Sequence, residues 1–222
     1  MIECENDYSR EFPSERYENL LKEYEEMHDY SDKMFNGRSL LKFRDAIKHI
    51  LRENNCENVL DYGSGKGQLY TEEYTKITDK ISKPLPEYWN LKDYKLYDPG
   101  YEEHSKLPTG SFDGVISTDV LEHVPEEDLG WVVDEMLDYT KKILFINVSC
   151  MPALKTFKDG TNVHVSIFSP VDWAKFLASR MEYTRSHVTI FLYADYSEED
   201  GELKNKIYQI KYKPTIFEMM EG

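Results

Sequence analysis

Three glycines follow an aspartate at every second position in the string Asp61-Tyr62-Gly63-Ser64-Gly65-Lys66-Gly67. Val59 and Leu60, directly before it, are typical of a buried strand. Glycines with this spacing allow positive φ angles and let a ligand approach the backbone closely. A helix that begins just beyond them would direct its free N–H groups at that ligand. The string therefore predicts a strand, a ligand-binding loop and a helix.

Two other kinds of glycine-rich loop fit this string less well. A dinucleotide-binding loop has the pattern G-x-G-x-x-G with its acid about 20 residues further on, whereas Asp61 lies inside the motif. A phosphate-binding P-loop needs Ser or Thr after its lysine, and Lys66 is followed by Gly67. A turn without a ligand also stays open, although such a turn does not need three spaced glycines and an acid.

Acids and histidines that suit acid–base chemistry follow a second apolar run, residues 112–119. Because open α/β sheets bind ligands at the carboxyl ends of their strands, we expect Asp119, Glu122 and His123 to face a pocket. His164 lies on a loop expected above the same edge. Histidine has a suitable pKa for a general base near neutral pH. We therefore expect one of these two histidines to act as a base and the other to orient the acceptor, with His123 preferred as the base, while a backbone-bonded His123 at a helix start remains the alternative.

Both strings resemble motifs of the class I S-adenosylmethionine-dependent methyltransferases. The first matches the acid and Gly-x-Gly-x-Gly of that family, and the second resembles its "FD-x-V-I … D-V-L-E-H-V-P" string. The resemblance implies an α/β fold with a doubly wound, mostly parallel sheet and a reversed last strand. It also implies methyl transfer from S-adenosyl-L-methionine to a small-molecule acceptor. The residues implied to bind the cofactor in these strings are Asp61, Gly63, Ser64, Gly65, Gly67, Asp119, Val120 and Leu121.

Asp98 ends a third apolar segment, residues 94–98, and is followed by Pro99 and Gly100. A carboxylate has two acceptor oxygens, which suits the two hydroxyls of a ribose. The resemblance implies that Asp98 is the ribose-binding acid, because that family keeps an acid at the end of its second strand. The chain between Asp61 and Asp98 is longer than usual for the family, and an insertion at residues 79–93 accounts for the difference. A turn residue before Pro-Gly remains the alternative.

Hydrophobic periodicity places the other elements around these segments. Residues 1–38 are expected to form a helical extension or a lid, with Tyr24, Tyr30 or Phe35 near the site if it is a lid, and residues 39–222 the methyltransferase domain. The resembled family has a helix and a third strand at this point, for which residues 101–111 are too few, so that strand is expected to be missing. The adenine-contacting acid is then unassigned, with Glu102 or Glu103 as substitutes. The remaining elements are helices over 14–30, 39–53, 68–78 and 126–140, a helix from Ser169, and strands over 142–148, 182–196 and 205–213.

The amino-acid composition and net charge limit which binding partners and which cellular compartment are expected. The 222 residues carry a formal net charge of -15, which would repel a nucleic-acid backbone. Three scattered cysteines form no disulfide framework, and the N-terminus does not resemble a signal peptide. No apolar run approaches the ~20 residues of a membrane span. We therefore expect a cytoplasmic protein that acts on a small molecule, and the sequence does not indicate its oligomeric state.

Two alternative functions remain open at this point. Asp119, Glu122, His123 and His164 resemble the divalent-metal site of the small-RNA 3′-end 2′-O-methyltransferases. In that comparison Asn162 stands where a further histidine would be, and the acidic net charge argues against RNA. The second alternative is a methyltransferase-like domain that binds a cofactor or a partner without turnover, against which the intact glycine loop argues. The preferred prediction has no metal.

Overall fold

The structure is a computed structural model that describes residues 8–30, 34–181, 187–198, 201–212 and 218–221. Its central feature is a seven-stranded sheet. The strands are β1 (Asn58–Tyr62), β2 (Asp93–Tyr97), β3 (Phe112–Thr118), β4 (Thr140–Ser149), β5 (Thr189–Ser197), β6 (Leu203–Lys211) and β7 (Glu218–Glu221). Their spatial order is β2-β1-β3-β4-β5-β6-β7.

The first five strands are parallel, which confirms the prediction of a mostly parallel sheet. β6 pairs antiparallel with β5, as the hairpin prediction requires, and β7 pairs antiparallel with β6. The reversed strand is β6, which corresponds to the last strand of the prediction, and β7 is a further strand that returns to the direction of the first five. The predicted hairpin strands also included residues 182–186 and 213, which lie outside the described residues.

Helices cover both faces of the sheet. The α-helices are α1 (Glu15–Tyr30), α2 (Arg44–Glu53), α3 (Leu85–Trp89), α4 (Leu129–Tyr139) and α5 (Pro170–Arg180). Buried side chains of α4 and α5 pack with Leu60 on one face, and those of α2 and α3 pack with Val59 on the other. Neighbouring strand residues point to opposite faces, so the continuous apolar run of β1 is buried on both sides. Within the described residues no helix is long and apolar enough to span a membrane.

Short 3₁₀ turns replace some of the predicted helices. They are Arg38–Lys42, Gln68–Tyr70, Glu72–Lys76, Glu102–His104, Leu121–His123 and Glu126–Asp128. The α-helix predicted over 68–78 is wrong, because Thr71 has an extended backbone (φ -122, ψ 178) and its side chain caps the following turn. Threonine and tyrosine, which recur in this segment, favour a helix less than straight-chain residues do. No α-helix therefore begins at the glycine loop, and the expected helix N-terminus is absent from this described segment.

The chain between β2 and β3 is as short as the sequence predicts. Residues 101–111, all of which the structure describes, contain one 3₁₀ turn and no strand. β2 therefore lies at the edge of the described sheet. Within residues 79–93, which the prediction treated as a loop or insertion, α3 forms a single short helix.

The N-terminal helix begins where the sequence predicts. Ser14 caps α1, since its Oγ accepts a hydrogen bond from the Tyr17 backbone N–H at 3.0 Å. Its own backbone N–H donates to Asp128 Oδ1 at 3.0 Å. These bonds attach the start of α1 to the turn that precedes α4.

Candidate functional site

A cavity of about 550 Å³ lies at the carboxyl ends of β1, β2 and β3. The strand ends contribute Asp61, Asp98 and Asp119 to its lining. Side chains of α1, the segment 34–40 and the loop 153–164 also line it. The cavity therefore forms between the edge of the sheet and segments from both ends of the chain.

The glycine loop borders this cavity with positive φ angles that glycine adopts readily. Gly63 has φ +83 and Gly65 has φ +54, a region that side chains rarely adopt. A Cβ at Gly63 would lie 2.3 Å from Val120 Cγ2, and one at Gly65 would lie 2.2 Å from the Phe35 carbonyl oxygen. Both glycines line the cavity, but their lack of a side chain also accommodates these protein atoms.

The segment around Phe35 covers the glycine loop. The Lys66 backbone N–H donates to the Phe35 carbonyl at 2.8 Å, and Lys66 Nζ donates to the His28 carbonyl at 2.9 Å. The Phe35 ring lies 5.9 Å from that of Tyr24. Tyr24 and Phe35 both line the cavity, as expected if the N-terminal region acts as a lid.

Two buried acids lie beside the glycine loop. Burial, with a smaller contribution from the nearby carboxyl of Asp98, raises the pKa of Asp61 to about 7 against the lowering effect of a hydrogen bond with Tyr70. Burial also raises the pKa of Asp98. The two hydrogen bonds that its carboxylate accepts from backbone N–H groups act in the opposite direction and lower this pKa. These come from Gly65 at 2.7 Å and Gly100 at 2.9 Å, one to each carboxylate oxygen. Each oxygen has a further lone pair for a ligand hydroxyl.

The two candidate histidines are held in the same tautomer. His123 Nδ1 lies 2.8 Å from the Val163 carbonyl oxygen, and His164 Nδ1 lies 2.6 Å from the Met151 carbonyl oxygen. A carbonyl oxygen only accepts, so each Nδ1 carries the proton and each Nε2 keeps a lone pair in the neutral ring. Burial lowers the pKa of His123. His123 is therefore bonded to a backbone carbonyl and also lines the cavity. The expectation that it faces a pocket and the alternative that it is bonded to backbone are both met.

Asp119, His123 and His164 form a cluster in which candidate metal-ligand atoms lie within 4.8 Å of one another. The two imidazole rings have centroids 4.8 Å apart. Asp119 has a left-handed backbone (φ 62) and an exposed side chain. Metal-binding histidines usually donate their second ring N–H to a carbonyl or carboxylate, and both histidines do so. The cluster can therefore supply either acid–base chemistry or three ligands to a divalent cation.

Glu122 does not face the cavity, so that prediction is wrong. It lies in the 3₁₀ turn Leu121–His123, in which successive side chains point in three directions. Its side chain is fully buried, and its Oε1 accepts the Ser149 backbone N–H at 2.6 Å. Burial raises the pKa of Glu122 well above its usual range. Glu122 therefore connects the turn after β3 to the end of β4.

Three further residues that the sequence analysis names lie outside the cavity lining in the described part of the chain. Gly67 and Leu121 are not among the described residues that line the cavity. A Cβ at Gly67 would meet Leu96, and Leu121 is fully buried in the core. Asn162 holds the loop 153–164 together, since its Oδ1 accepts the His164 backbone N–H at 2.9 Å. Gly63, Ser64, Gly65, Asp119 and Val120 do line the cavity.

Two histidines near the cavity, His28 and His104, were not identified by the sequence analysis. His28 lines the cavity, and its ring lies 4.5 Å from that of Phe35. Its spacing of four residues from Tyr24 places the two on one helix face, which is a signal that sequence could supply. His104 Nδ1 donates to the Gly65 carbonyl at 2.8 Å. No local pattern indicates that contact, because it depends on the path of the chain after β2.

Comparison with known proteins adds no family assignment. A scan against protein-family models and a search of curated proteins find no match to this chain. The function must therefore be argued from the cavity and the side chains around it.

Proposed function

We propose that this protein is an S-adenosylmethionine-dependent methyltransferase that acts on a small molecule. The observation that carries the proposal is one cavity at the carboxyl ends of three neighbouring parallel strands, each of which supplies an aspartate. The glycine loop after β1 borders the same cavity. This is the location in which open α/β sheets bind ligands.

The cavity suits the cofactor in size and charge. Its volume of about 550 Å³ lies within the range of about 300–1,000 Å³ for small-molecule sites. The raised pKa values of Asp61 and Asp98 indicate that burial outweighs the stabilisation of their charged forms. A cationic ligand would stabilise those ionised carboxylates. The proposal therefore pairs the acids of the cavity with a sulfonium cation.

Specific residues would hold the two ends of the cofactor. Gly63, Ser64 and Gly65 would border its methionine part, and the remaining lone pairs of Asp98 would accept the ribose hydroxyls. Asp119 and Val120 line the cavity at the end of the adjacent strand. When bound, the cofactor supplies an electrophilic methyl group on a positively charged sulfur.

The chain contributes a base, an orienting group and exclusion of water. Because burial lowers the pKa of His123, its Nε2 is available to accept the proton of an acceptor hydroxyl or amine at neutral pH. His164 lies beside it and would hold the acceptor in position. α1 and the loop 153–164 cover the cavity, which limits access of water to the acceptor.

Asp98→Asn tests the cofactor site. We expect calorimetric titration to show S-adenosylmethionine binding weakened by about tenfold to a hundredfold, the effect of losing a hydrogen bond to a charged group. Asp93→Asn is the matched control, since Asp93 is exposed at the other end of β2. Wild-type protein that does not bind S-adenosylmethionine would contradict the proposal. Binding by wild type and Asp98→Asn with equal affinity would move the ribose contact elsewhere.

A metal-assisted methyl transfer is the second candidate function. The cluster of Asp119, His123 and His164 favours it, because three protein ligands with open positions are typical of catalytic metal sites. The ring N–H groups donated to the Val163 and Met151 carbonyls fit such a role. The net charge of -15 argues against an RNA acceptor for it.

A titration with Mn²⁺, followed by electron paramagnetic resonance, separates the two mechanisms. If the cluster holds a metal, we expect Asp119→Ala and His164→Ala to weaken Mn²⁺ binding by at least about tenfold. His49→Ala, on the exposed side of α2, serves as the control. Equal Mn²⁺ affinity in all four proteins would exclude the cluster as the metal site and leave the acid–base mechanism.

Cofactor binding without transfer of a labelled methyl group to any acceptor would support a non-catalytic binding domain.

A further inference from the structure

Tyr24 of α1 contacts three separate segments of the cavity wall. Its ring lies 5.5 Å from the His123 ring and 5.5 Å from the Phe157 ring, measured between centroids. It lies 5.9 Å from the Phe35 ring. Its hydroxyl is 2.8 Å from His123 Nδ1 and 3.0 Å from the Val163 carbonyl oxygen. One side chain of the N-terminal helix therefore joins the turn after β3 to the loop that carries His164.

We propose that Tyr24 is a positioning residue that keeps His123 in its Nδ1–H tautomer and so leaves Nε2 with its lone pair. The Tyr24 hydroxyl donates to the Val163 carbonyl, and His123 Nδ1–H donates to the same oxygen. A carbonyl has two lone pairs and can accept both donors. The tyrosine thus fixes the acceptor to which the histidine is bonded.

The alternative tautomer conflicts with this geometry. If the proton were on Nε2, the lone pair of Nδ1 would face the Val163 carbonyl oxygen at 2.8 Å. In that form Nδ1 could accept the Tyr24 hydroxyl, 2.8 Å away, but the Val163 carbonyl would lose that donor and would face a second acceptor, so the geometry favours the Nδ1–H form. Without the tyrosine hydroxyl, the loop carbonyl loses a bond that holds it beside the ring. The imidazole could then rotate or exchange its proton between the two nitrogens.

Other contacts hold α1 in the position from which Tyr24 acts. The start of the helix is bonded to Asp128 through Ser14. Near its end, Glu26 accepts a hydrogen bond from Lys158 Nζ at 2.6 Å, across to the loop that precedes Val163. The N-terminal helix is thereby an integral part of the site, and its role in catalysis rests on the proposed methyl transfer.

Tyr24→Phe removes the hydroxyl and keeps the ring contacts, so it tests this role directly. Proton–nitrogen correlation spectra of the imidazoles report which ring nitrogen of His123 is protonated. We expect Nδ1–H in wild type and a mixture of tautomers in Tyr24→Phe. Tyr17→Phe is the matched control, because Tyr17 lies on the same helix and lines the same cavity but packs on Trp131. The control is expected to keep the wild-type spectrum.

Thermal denaturation establishes whether Tyr24→Phe folds as the wild type does, and Tyr24→Leu provides a second variant without the hydroxyl. An unchanged Nδ1–H tautomer in both folded variants would overturn the proposal. In an assay of methyl transfer, we expect kcat to fall by about tenfold to a hundredfold, the effect of a misplaced catalytic group, with little change in cofactor affinity. The spectra need neither cofactor nor acceptor. Failure of the proposed function would therefore leave the tautomer result intact, and failure of the tautomer result would leave cofactor binding intact.

Discussion

His123→Ala is expected to lower methyl transfer by about a hundredfold to ten-thousandfold, the usual contribution of a general base. The lone pair on Nε2 would be lost, while Gly63, Gly65 and Asp98 would still line the part of the cavity that is proposed to hold the cofactor. Cofactor affinity should therefore change much less than the rate. His164→Ala is expected to have a smaller effect, because the role proposed for that residue is to orient the acceptor.

The measurement follows transfer of a labelled methyl group from S-adenosylmethionine to acceptors in a cell extract. Calorimetry on the same proteins reports cofactor binding, and His49→Ala is the control for loss of a histidine outside the cavity. Activity that is lost with a chelator and restored by Mn²⁺ would support a metal held by the cluster. Full turnover in the His123→Ala, His164→Ala double variant would contradict both mechanisms.

Asp128→Ala is expected to lower the free energy of unfolding by about 3 kcal/mol, the scale for leaving buried partners of a charged group unsatisfied. Asp128 is fully buried. Its Oδ1 accepts from the Ser14 backbone N–H at 3.0 Å and from Trp131 Nε1 at 2.8 Å. Its Oδ2 accepts from Ser14 Oγ at 2.5 Å. Alanine would leave all three donors without this partner.

Urea denaturation followed by circular dichroism measures this loss. Asp134→Ala is the matched control, since Asp134 lies on α4 and forms a partly exposed ion pair with Arg180. Its removal is expected to cost about 0–1 kcal/mol. Equal losses in the two variants would show that the Asp128 contacts add little. Asp128→Asn, which keeps one acceptor oxygen, should fall between wild type and Asp128→Ala.

The sequence predicts the location of most candidate site residues, because the ends of parallel strands meet at one edge. Asp61, Asp98 and Asp119 each end or follow a strand that hydrophobicity identifies, and all three line the cavity. Apolar runs are a strong signal for buried parallel strands. The mostly parallel sheet follows from the same reasoning, whereas the absence of a strand between β2 and β3 follows from the shortness of residues 101–111.

The sequence does not predict the direction of each side chain within the connecting turns. The motif places Leu121 and Glu122 beside His123, but the 3₁₀ turn directs both into the protein. The helix expected after Gly67 is also absent from the described segment, because local propensity there is weak. Contacts between distant segments, such as Ser14 with Asp128 and Tyr24 with His123, depend on tertiary packing. They leave no periodic signal in either segment.

The short connection between β2 and β3 has a consequence for how the protein meets other chains. An open sheet edge is a template on which another chain can add a strand, and proteins commonly protect such edges with charged side chains, lysine above all. On β2, Asp93 and Lys95 are exposed, while Tyr94 and Leu96 pack against the core. The charges on this edge strand thus oppose edge-to-edge pairing with a strand of another chain.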